Sequence, residues 1–312
     1  MFRYALKRIG VGVLVIITAS IILFAIMKMM PGDPVRMIAD PRLPEEALDR
    51  LRERWGLNKP AHIQYLSWAG NLLHGDFGTS IVAGQSVSGL LVSRLPYTLG
   101  LAGLSMLLRY LIAVPLGLIA AVRAGSAVDR GLVLGTTFLT LVPGFWLGII
   151  LMIVLAINLK LLPISGYQGP ISLVLPLLTM VLPGIGGTLR VTRSEVLETV
   201  GEAYVTTAYA KGLGSKVVQV RHVLRNALIP VTVSFFLSLP WIISGSVIIE
   251  NVFAWPGMGR LVWSAIQRQD YPVVQGVFII ITVLTVISNV IADVVSGFLD
   301  PRIRIEIEEA GR

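Results

Sequence analysis

The sequence predicts an all-α integral membrane protein with six transmembrane helices and a helical extracytoplasmic insertion after the first. Three observations carry this. Only 14% of the 312 residues are charged and 54% are hydrophobic, with a mean hydropathy of +0.78, whereas a soluble domain carries roughly 25% charged residues. Six apolar runs are each long enough for a hydrocarbon core of about 30 Å, which takes roughly 20 helical residues. Backbone polar groups in lipid must be bonded within the structure, so spans are helices or closed barrels. The Val- and Ile-rich stretch 277–291 is too long for a barrel strand and lacks its alternation.

The first run, 9–30, follows Arg3, Lys7 and Arg8. A cleaved signal peptide also begins with basic residues, but this run exceeds a usual h-region and MMPGDP offers no small-x-small cleavage site. Residues 1–30 are therefore read as an uncleaved anchor helix. The stretch 31–97 forms the insertion. PEEALDRLRERWGL places Glu45 and Glu46 in a first turn and Leu48, Leu51 and Trp55 at helical spacing. AHIQYLSWAGNLLHG repeats the pattern, GDFGTS breaks it, and the amphipathic SVSGLLVSRL leads into the second span. His62 and His74 lie here, and two distant imidazoles do not make a metal site.

The remaining spans are 98–122, 132–157, 171–189, 229–249 and 273–295, so that 98–312 forms a core of five helices. Pro143 and Gly144 in the third span, and Pro176, Pro183, Gly184, Gly186 and Gly187 in the fourth, are positions for kinks or unwinding. Gly131 with Gly135, and Gly144 with Gly148, have G-x-x-x-G spacing and permit close packing.

Lys and Arg set the orientation. Arg3, Lys7, Arg8, Arg123, Arg130, Arg190, Arg193, Lys211, Lys216, Arg221, Arg225, Arg302, Arg304 and Arg312 fall in one set of loops, and only Lys160, Arg260 and Arg268 in the opposite short loops. Both termini are therefore expected in the cytoplasm, and the long 31–97 segment outside. The net charge of +8 is read as membrane topology and not as a nucleic-acid surface, because the basic residues form no aromatic-interleaved patch. Cysteine is absent, which removes disulfides and thiolate metal sites.

Catalysis finds no support. A serine triad needs a histidine near a nucleophile and an acid, but His222 lies in the cytoplasmic loop and the other two lie outside. A paired-aspartate protease needs two carboxylates at membrane depth, and only Asp293 comes near. The stretch GLGSK at 212–216 is followed by Val217, so it does not complete a phosphate loop. Arg109, near the middle of the second span, is either a pathway or interface residue meeting an anionic group, or an internal ion pair or snorkelling side chain. Asn289 and Asp293, one turn apart, suit interhelical hydrogen bonding, with a pathway role as the alternative. On the outside, Trp255, Pro256 and Gly257 form a turn before Leu261, Val262 and Ile266, a short amphipathic helix over the outer mouth that serves as a gate, a partner contact or a structural cap.

The polar segment 202–226 interrupts the apolar chain. Glu202 to Lys211 is helix-compatible, with Ala203, Ala208 and Ala210 keeping the surface shallow, and Gly212 permits a sharp turn at positive φ. Val205, Ala208 and Gly212 share one stripe suited to close contact with another surface. Docking to a partner and lying on the membrane surface both fit this pattern.

E-A-Y-V-T-T-A-Y-A-K-G-L at 202–213, followed by R-H-V-L-R-N-A-L-I-P, resembles the coupling loop of binding-protein-dependent ABC importer permeases. P-G-D-P at 31–34, E-N-V-F-A-W-P-G-M-G-R-L at 250–261, D-Y-P-V-V-Q-G at 270–276 and F-L-D-P-R-I-R at 298–304 are similar to signatures of the dipeptide, oligopeptide and nickel group. The resemblance implies a type I importer permease (MetI-like) fold in the cytoplasmic (inner) membrane of a bacterium or archaeon. It also implies a second homologous permease, two cytoplasmic ATPase subunits that hold ATP and magnesium, and an extracytoplasmic substrate-binding protein, with no cofactor in this chain. Glu202, Ala203, Tyr204, Ala208, Ala210, Lys211, Gly212 and Leu213 would then form the ATPase-coupling helix. Thr206 departs from the basic residue found in many relatives. The implied substrates are di- or oligopeptides, with nickel or glutathione-like solutes as alternatives. An ion-coupled secondary transporter would need inverted halves and midplane carboxylates, which the sequence does not display. A scaffold without transport is the third reading.

Overall fold

The computed structural model describes residues 2–29, 35, 44–54 and 56–299. The P-G-D-P motif and the end of F-L-D-P-R-I-R lie outside the described residues. The face that the basic residues predict to be cytoplasmic is termed inner below, and the opposite face outer.

The described residues are helical apart from turns and one isolated bridge between Thr79 and Ser86. Helix α1 (Phe2–Met29) is followed by α2 (Glu45–Arg54) and α3 (Ala61–Leu73) of the insertion, then by α4 (Val87–Val122). The amphipathic stretch before the second span is thus continuous with that span, running through Pro96 without a break. Helix α5 (Ala127–Leu141) starts at Ser126, whose side chain accepts a hydrogen bond from Asp129 N and so caps the first turn. It ends before Pro143, and α6 (Gly144–Leu151), prolonged by a π-helical segment Met152–Asn158, leaves at 96° to it. Proline cannot donate to the ladder and clashes with the preceding turn, so the predicted break in the third span falls where the sequence places it.

A 3₁₀ turn, Pro170–Leu173, leads into α7 (Val174–Val200). This fourth span stays a single helix through Pro183. Then come α8 (Ala203–Ala210), α9 (Ser215–Val217), a π-helical segment Val218–Leu224, α10 (Arg225–Leu237), α11 (Leu239–Val252), α12 (Met258–Gln267) and α13 (Tyr271–Leu299).

Among the described residues, four helices are each long and apolar enough to cross a membrane, and the bent pair α5 and α6 would make a fifth. The segment 229–249 is divided between α10 and α11 at Ser238, so a sixth span rests on that pair together, neither half reaching the length a bilayer requires.

The core centres on α4 against α7. Ala113, Val181, Ile185 and Leu189 are buried there, and a Cβ at Gly117 would lie 2.8 Å from Leu189 O, so only glycine allows this approach. Gly186 is likewise pressed against the backbone of Thr136 on α5. The G-x-x-x-G pair Gly131 and Gly135 meets nothing within 4 Å in this chain, whereas Gly148 packs on Thr179 and Phe253. Helix α1 lies apart from this core, along α13.

Candidate functional site

The predicted coupling segment is a helix, a tight turn and a second helix at the inner face. Glu202 is extended (φ −70°, ψ 142°) and its side chain makes no cap hydrogen bond. Gly212 closes the helix at φ +78° with its N–H donating to Tyr209 O at 2.9 Å, the conformation expected of it. A Cβ at 212 would meet nothing within 4 Å. The requirement for glycine there is one of backbone conformation alone.

Two of the three residues of the stripe, Val205 and Ala208, find their contact surface within the chain, while Gly212 is exposed. Val205 and Ala208 are buried with Ala121 at the end of α4, Val196 of α7, and Val218, Val223 and Ala227. A short helix outside the membrane buries its apolar stripe against the nearest apolar surface, which here is its own chain. Ala203, Ala210 and Lys211 are exposed, as are Tyr204, Tyr209 and Leu213, and Val217 and Val220 beyond the turn. Asn226 Nδ2 donates to Tyr204 Oη at 3.1 Å and to His222 O at 2.8 Å, tying the two arms together.

Close by in sequence, Arg193 near the inner end of α7 grips Asp129 in the first turn of α5. Its Nε donates to Oδ1 at 2.7 Å and its Nη2 to Oδ2 at 2.8 Å, while Gly125 N donates to Oδ2 at 2.9 Å. A bidentate arginine–carboxylate pair fixes geometry as well as attraction. In the sequence Arg193 stands only as a topological charge, with nothing that pairs it to Asp129 across 64 residues. An acidic residue three positions after a capping serine is the signal for Asp129.

At the outer face the turn at Trp255, Pro256 and Gly257 is sealed. The Trp255 side chain is buried, its Nε1 donates to Tyr97 O at 3.1 Å, and its ring meets Tyr97 and Tyr167 edge-on at 6.0 and 5.4 Å. The hairpin is organised by Glu250, which is wholly inaccessible. Gly259 N donates to Oε2 at 2.7 Å and Arg260 N at 3.3 Å, and Thr98 Oγ1 of α4 donates to Oε1 at 2.7 Å. Thr98 Oγ1 in turn accepts from Met258 N at 2.8 Å. A Cβ at Gly257 would lie 2.5 Å from Glu250 Cδ, and one at Gly259 2.5 Å from Val247 Cα, so both glycines exist to let the carboxylate in. The expected amphipathic helix is α12, with Met258, Val262 and Ala265 packed on Val87, Leu91 and Val274. A second buried carboxylate, Asp270 between α12 and α13, accepts from Ser80 Oγ at 2.5 Å, Ile81 N at 3.1 Å and Val82 N at 3.4 Å, pinning the insertion. Neither carboxylate had an assigned role in the sequence. Each stands at the end of an apolar run, where a buried acid is indistinguishable from a solvated one.

Asp293 meets Arg8 Nε of α1 at 3.1 Å, an interhelical tie, and Asn289 is exposed one turn away. Arg109 is half-buried on α4, with its Nη2 donating to Ser238 Oγ at 3.2 Å. It forms no ion pair with a described residue.

Several membrane-length apolar helices, with a short helical knob seated on their ends at one face and a hairpin closed on a buried carboxylate at the other, define a polytopic membrane protein. Residues 113–305 match the family described as binding-protein-dependent transport system inner membrane component, and residues 1–102 match the corresponding N-terminal membrane component. The chain belongs to this family of ABC transporter permeases. It is 39% identical over 315 residues to the oligopeptide transport system permease protein AppB of Bacillus subtilis, covering 97% of this chain and 99% of the relative. It is 38% identical over 309 residues to a probable peptide ABC transporter permease, y4tP, of Sinorhizobium fredii, covering 96% and 99%. The glutathione transport system permease protein GsiC of Salmonella choleraesuis is 34% identical over 305 residues, covering 97% and 99%.

Proposed function

We propose that this chain is one of two permease subunits of an ATP-driven importer in the cytoplasmic membrane, passing peptides inward from a substrate-binding protein at its outer face. The observation that carries the mechanism is the inner knob: α8 and the turn after it expose Tyr204, Tyr209 and Leu213 while α8 seats Val205 and Ala208 on the ends of α4 and α7. A pair of separate ATPase subunits, which bind ATP and magnesium, receives the exposed face in a groove. Their closure moves the knob as one body, because Gly212 and the Asn226–Tyr204 bond fix its shape. The movement passes to α4 through Ala121, to α7 through Val196, and on to α5 through the Arg193–Asp129 pair. The hairpin of Trp255, Pro256 and Gly257 is the outer gate element, sealed on α4 by Glu250 in the state described. Asn289 and Asp293 act as interface residues, Asp293 by holding α1. Peptides are favoured over glutathione or nickel chelates because the two relatives with higher identity quoted above carry peptide names.

The test is reconstitution of this chain with its second permease, the ATPases and the binding protein in proteoliposomes. Hydrolysis is expected to rise with peptide-loaded binding protein and to lose that response when this chain is omitted. Hydrolysis indifferent to this chain would leave a scaffold or an ion-coupled carrier as the better account.

A further inference from the structure

Among the described residues, no carboxylate pairs with Arg109, which lies at membrane depth. It lies within the apolar run 98–122, about 16 Å from the start and about 20 Å from the end at 1.5 Å per residue, farther than an arginine side chain reaches, so snorkelling is ruled out. The arginine ion pairs of the described residues are Arg8–Asp293, Arg52 with Glu45 and Asp49, and Arg193–Asp129, and none involves Arg109. Its guanidinium lies 5.0 Å from the centroid of the Tyr110 ring and donates through Nη2 to Ser238 Oγ, while Nε is buried with no hydrogen-bond partner. Space has been made for it: a Cβ at Gly184 of α7 would run into the arginine side chain, with Nη1 only 3.1 Å away. An arginine held this way, at such depth, is costly unless it faces water and meets an anion.

The surroundings indicate where that anion arrives. Ser238 is the joint between α10 and α11, and Pro240 withholds an N–H from the helical ladder just beyond it. Interrupted backbone at membrane depth is tolerated only inside protein or along a water-filled cavity. Arg109 therefore points at an interrupted helix and away from lipid, and the residue as a whole is half-buried. Its planar fork suits a carboxylate, which it can hold through two N–H donors. We propose that Arg109 is the carboxylate-binding residue of the translocation path, taking the C-terminal carboxylate of a peptide in transit. This rests on the importer reading above and adds a substrate group to it.

The experiment uses the complete reconstituted transporter with tri-alanine and its C-terminal amide, each loaded to saturation on the binding protein. The importer reading is tested first, by whether the wild type moves tri-alanine at all. Arg109→Gln is then expected to lower uptake of the free acid by roughly 10–100-fold, the worth of a charge-assisted hydrogen bond, to leave amide uptake near the wild-type level, and to leave assembly unchanged; Arg109→Lys should recover part of the loss. Equal loss for both peptides, or no loss for either, overturns the assignment. Failed assembly that Arg109→Lys restores without changing the acid-to-amide ratio also overturns it, in favour of an ion pair with the second permease. A readout independent of how the binding protein treats amides uses the absence of cysteine. Ser238→Cys, exposed during ATP turnover to acid peptides bromoacetylated near either end, should react at least tenfold faster with the C-terminal label, and Arg109→Gln should abolish that preference. Equal labelling from both ends would overturn the proposal.

Discussion

Replacing Glu250 with alanine should release the outer hairpin. The side chain is fully inaccessible and accepts from Thr98 Oγ1, Gly259 N and Arg260 N at 2.7, 2.7 and 3.3 Å, and from the Ser246 side chain besides, so the sum over the first three is a lower bound. Hydrogen bonds to a charged acceptor contribute about 1.5–3 kcal/mol each, and the donors left behind would be buried without partners. Two short bonds and one long one, discounted for shared relaxation, put the loss at about 3–5 kcal/mol for closure of the hairpin. At about 1.4 kcal/mol per tenfold, that raises the open population by roughly 100-fold or more, until the hairpin is mostly open. Val262 of α12 is 6% exposed, so Val262→Cys in the cysteine-free chain gives a reporter of similar volume. In detergent, its alkylation by a maleimide should be slow with Glu250 present and at least tenfold faster in Glu250→Ala, with Glu250→Gln between the two. Equal alkylation rates would show that the apolar contacts of α12 hold the hairpin by themselves and that the carboxylate is dispensable.

Gly212→Val should cost about 1–3 kcal/mol of backbone strain at φ +78° and no steric clash, since the space beyond is open; Gly212→Asn, which tolerates the left-handed region, should retain most function. Peptide-stimulated ATP turnover of the assembled complex is expected to fall severalfold for valine and little for asparagine, and equal turnover would refute the turn's role. Asp129→Asn and Arg193→Gln should each lower the Tm of the solubilised chain, and the double variant should be scarcely worse than either, since both break one pair; additive losses would mean the pair is not coupled. Asp270→Ala should free the 79–86 loop from the α12–α13 joint, raising limited proteolysis within that loop at least tenfold, and unchanged cleavage would place its anchorage elsewhere.

Helix positions were legible in the sequence wherever length and apolarity decide them, as in α1, α4, α7 and α13. The break at Pro143 was legible because proline acts locally. The division at Ser238 was not, although Pro240 two residues on withholds an N–H there; Pro183, absorbed into a continuous helix, shows why a proline alone does not decide a break. In the candidate coupling segment, the turn at Gly212 followed from residue type, but the direction of the stripe did not. A helical wheel shows which residues share a face and is silent on whether that face meets a partner or the chain itself. Glu250, Asp270 and the Asp129–Arg193 pair escaped notice because burial and long-range pairing are properties of the fold. Single charges near span ends carry no mark of them.

Helix α1 is fastened at few points. Near its inner end Arg8 meets Asp293, and farther along Gly12 lets Val286 approach so closely that a Cβ would lie 2.6 Å from Val286 Cγ1. Toward its outer end Ser20 Oγ lies 2.8 Å from Tyr65 Oη, and Phe24 stacks on Tyr65 and Trp68 of α3. Only 11% of its apolar stretch is buried within the described residues, so most of its perimeter is open on this chain. In mechanical terms α1 is an outrigger, braced to α13 at one end and to the insertion at the other. A tilt of α13 at the inner face would therefore be felt at α3 through α1, beside its direct bearing on α4, where Gly276 is pressed against Val87 and Leu91.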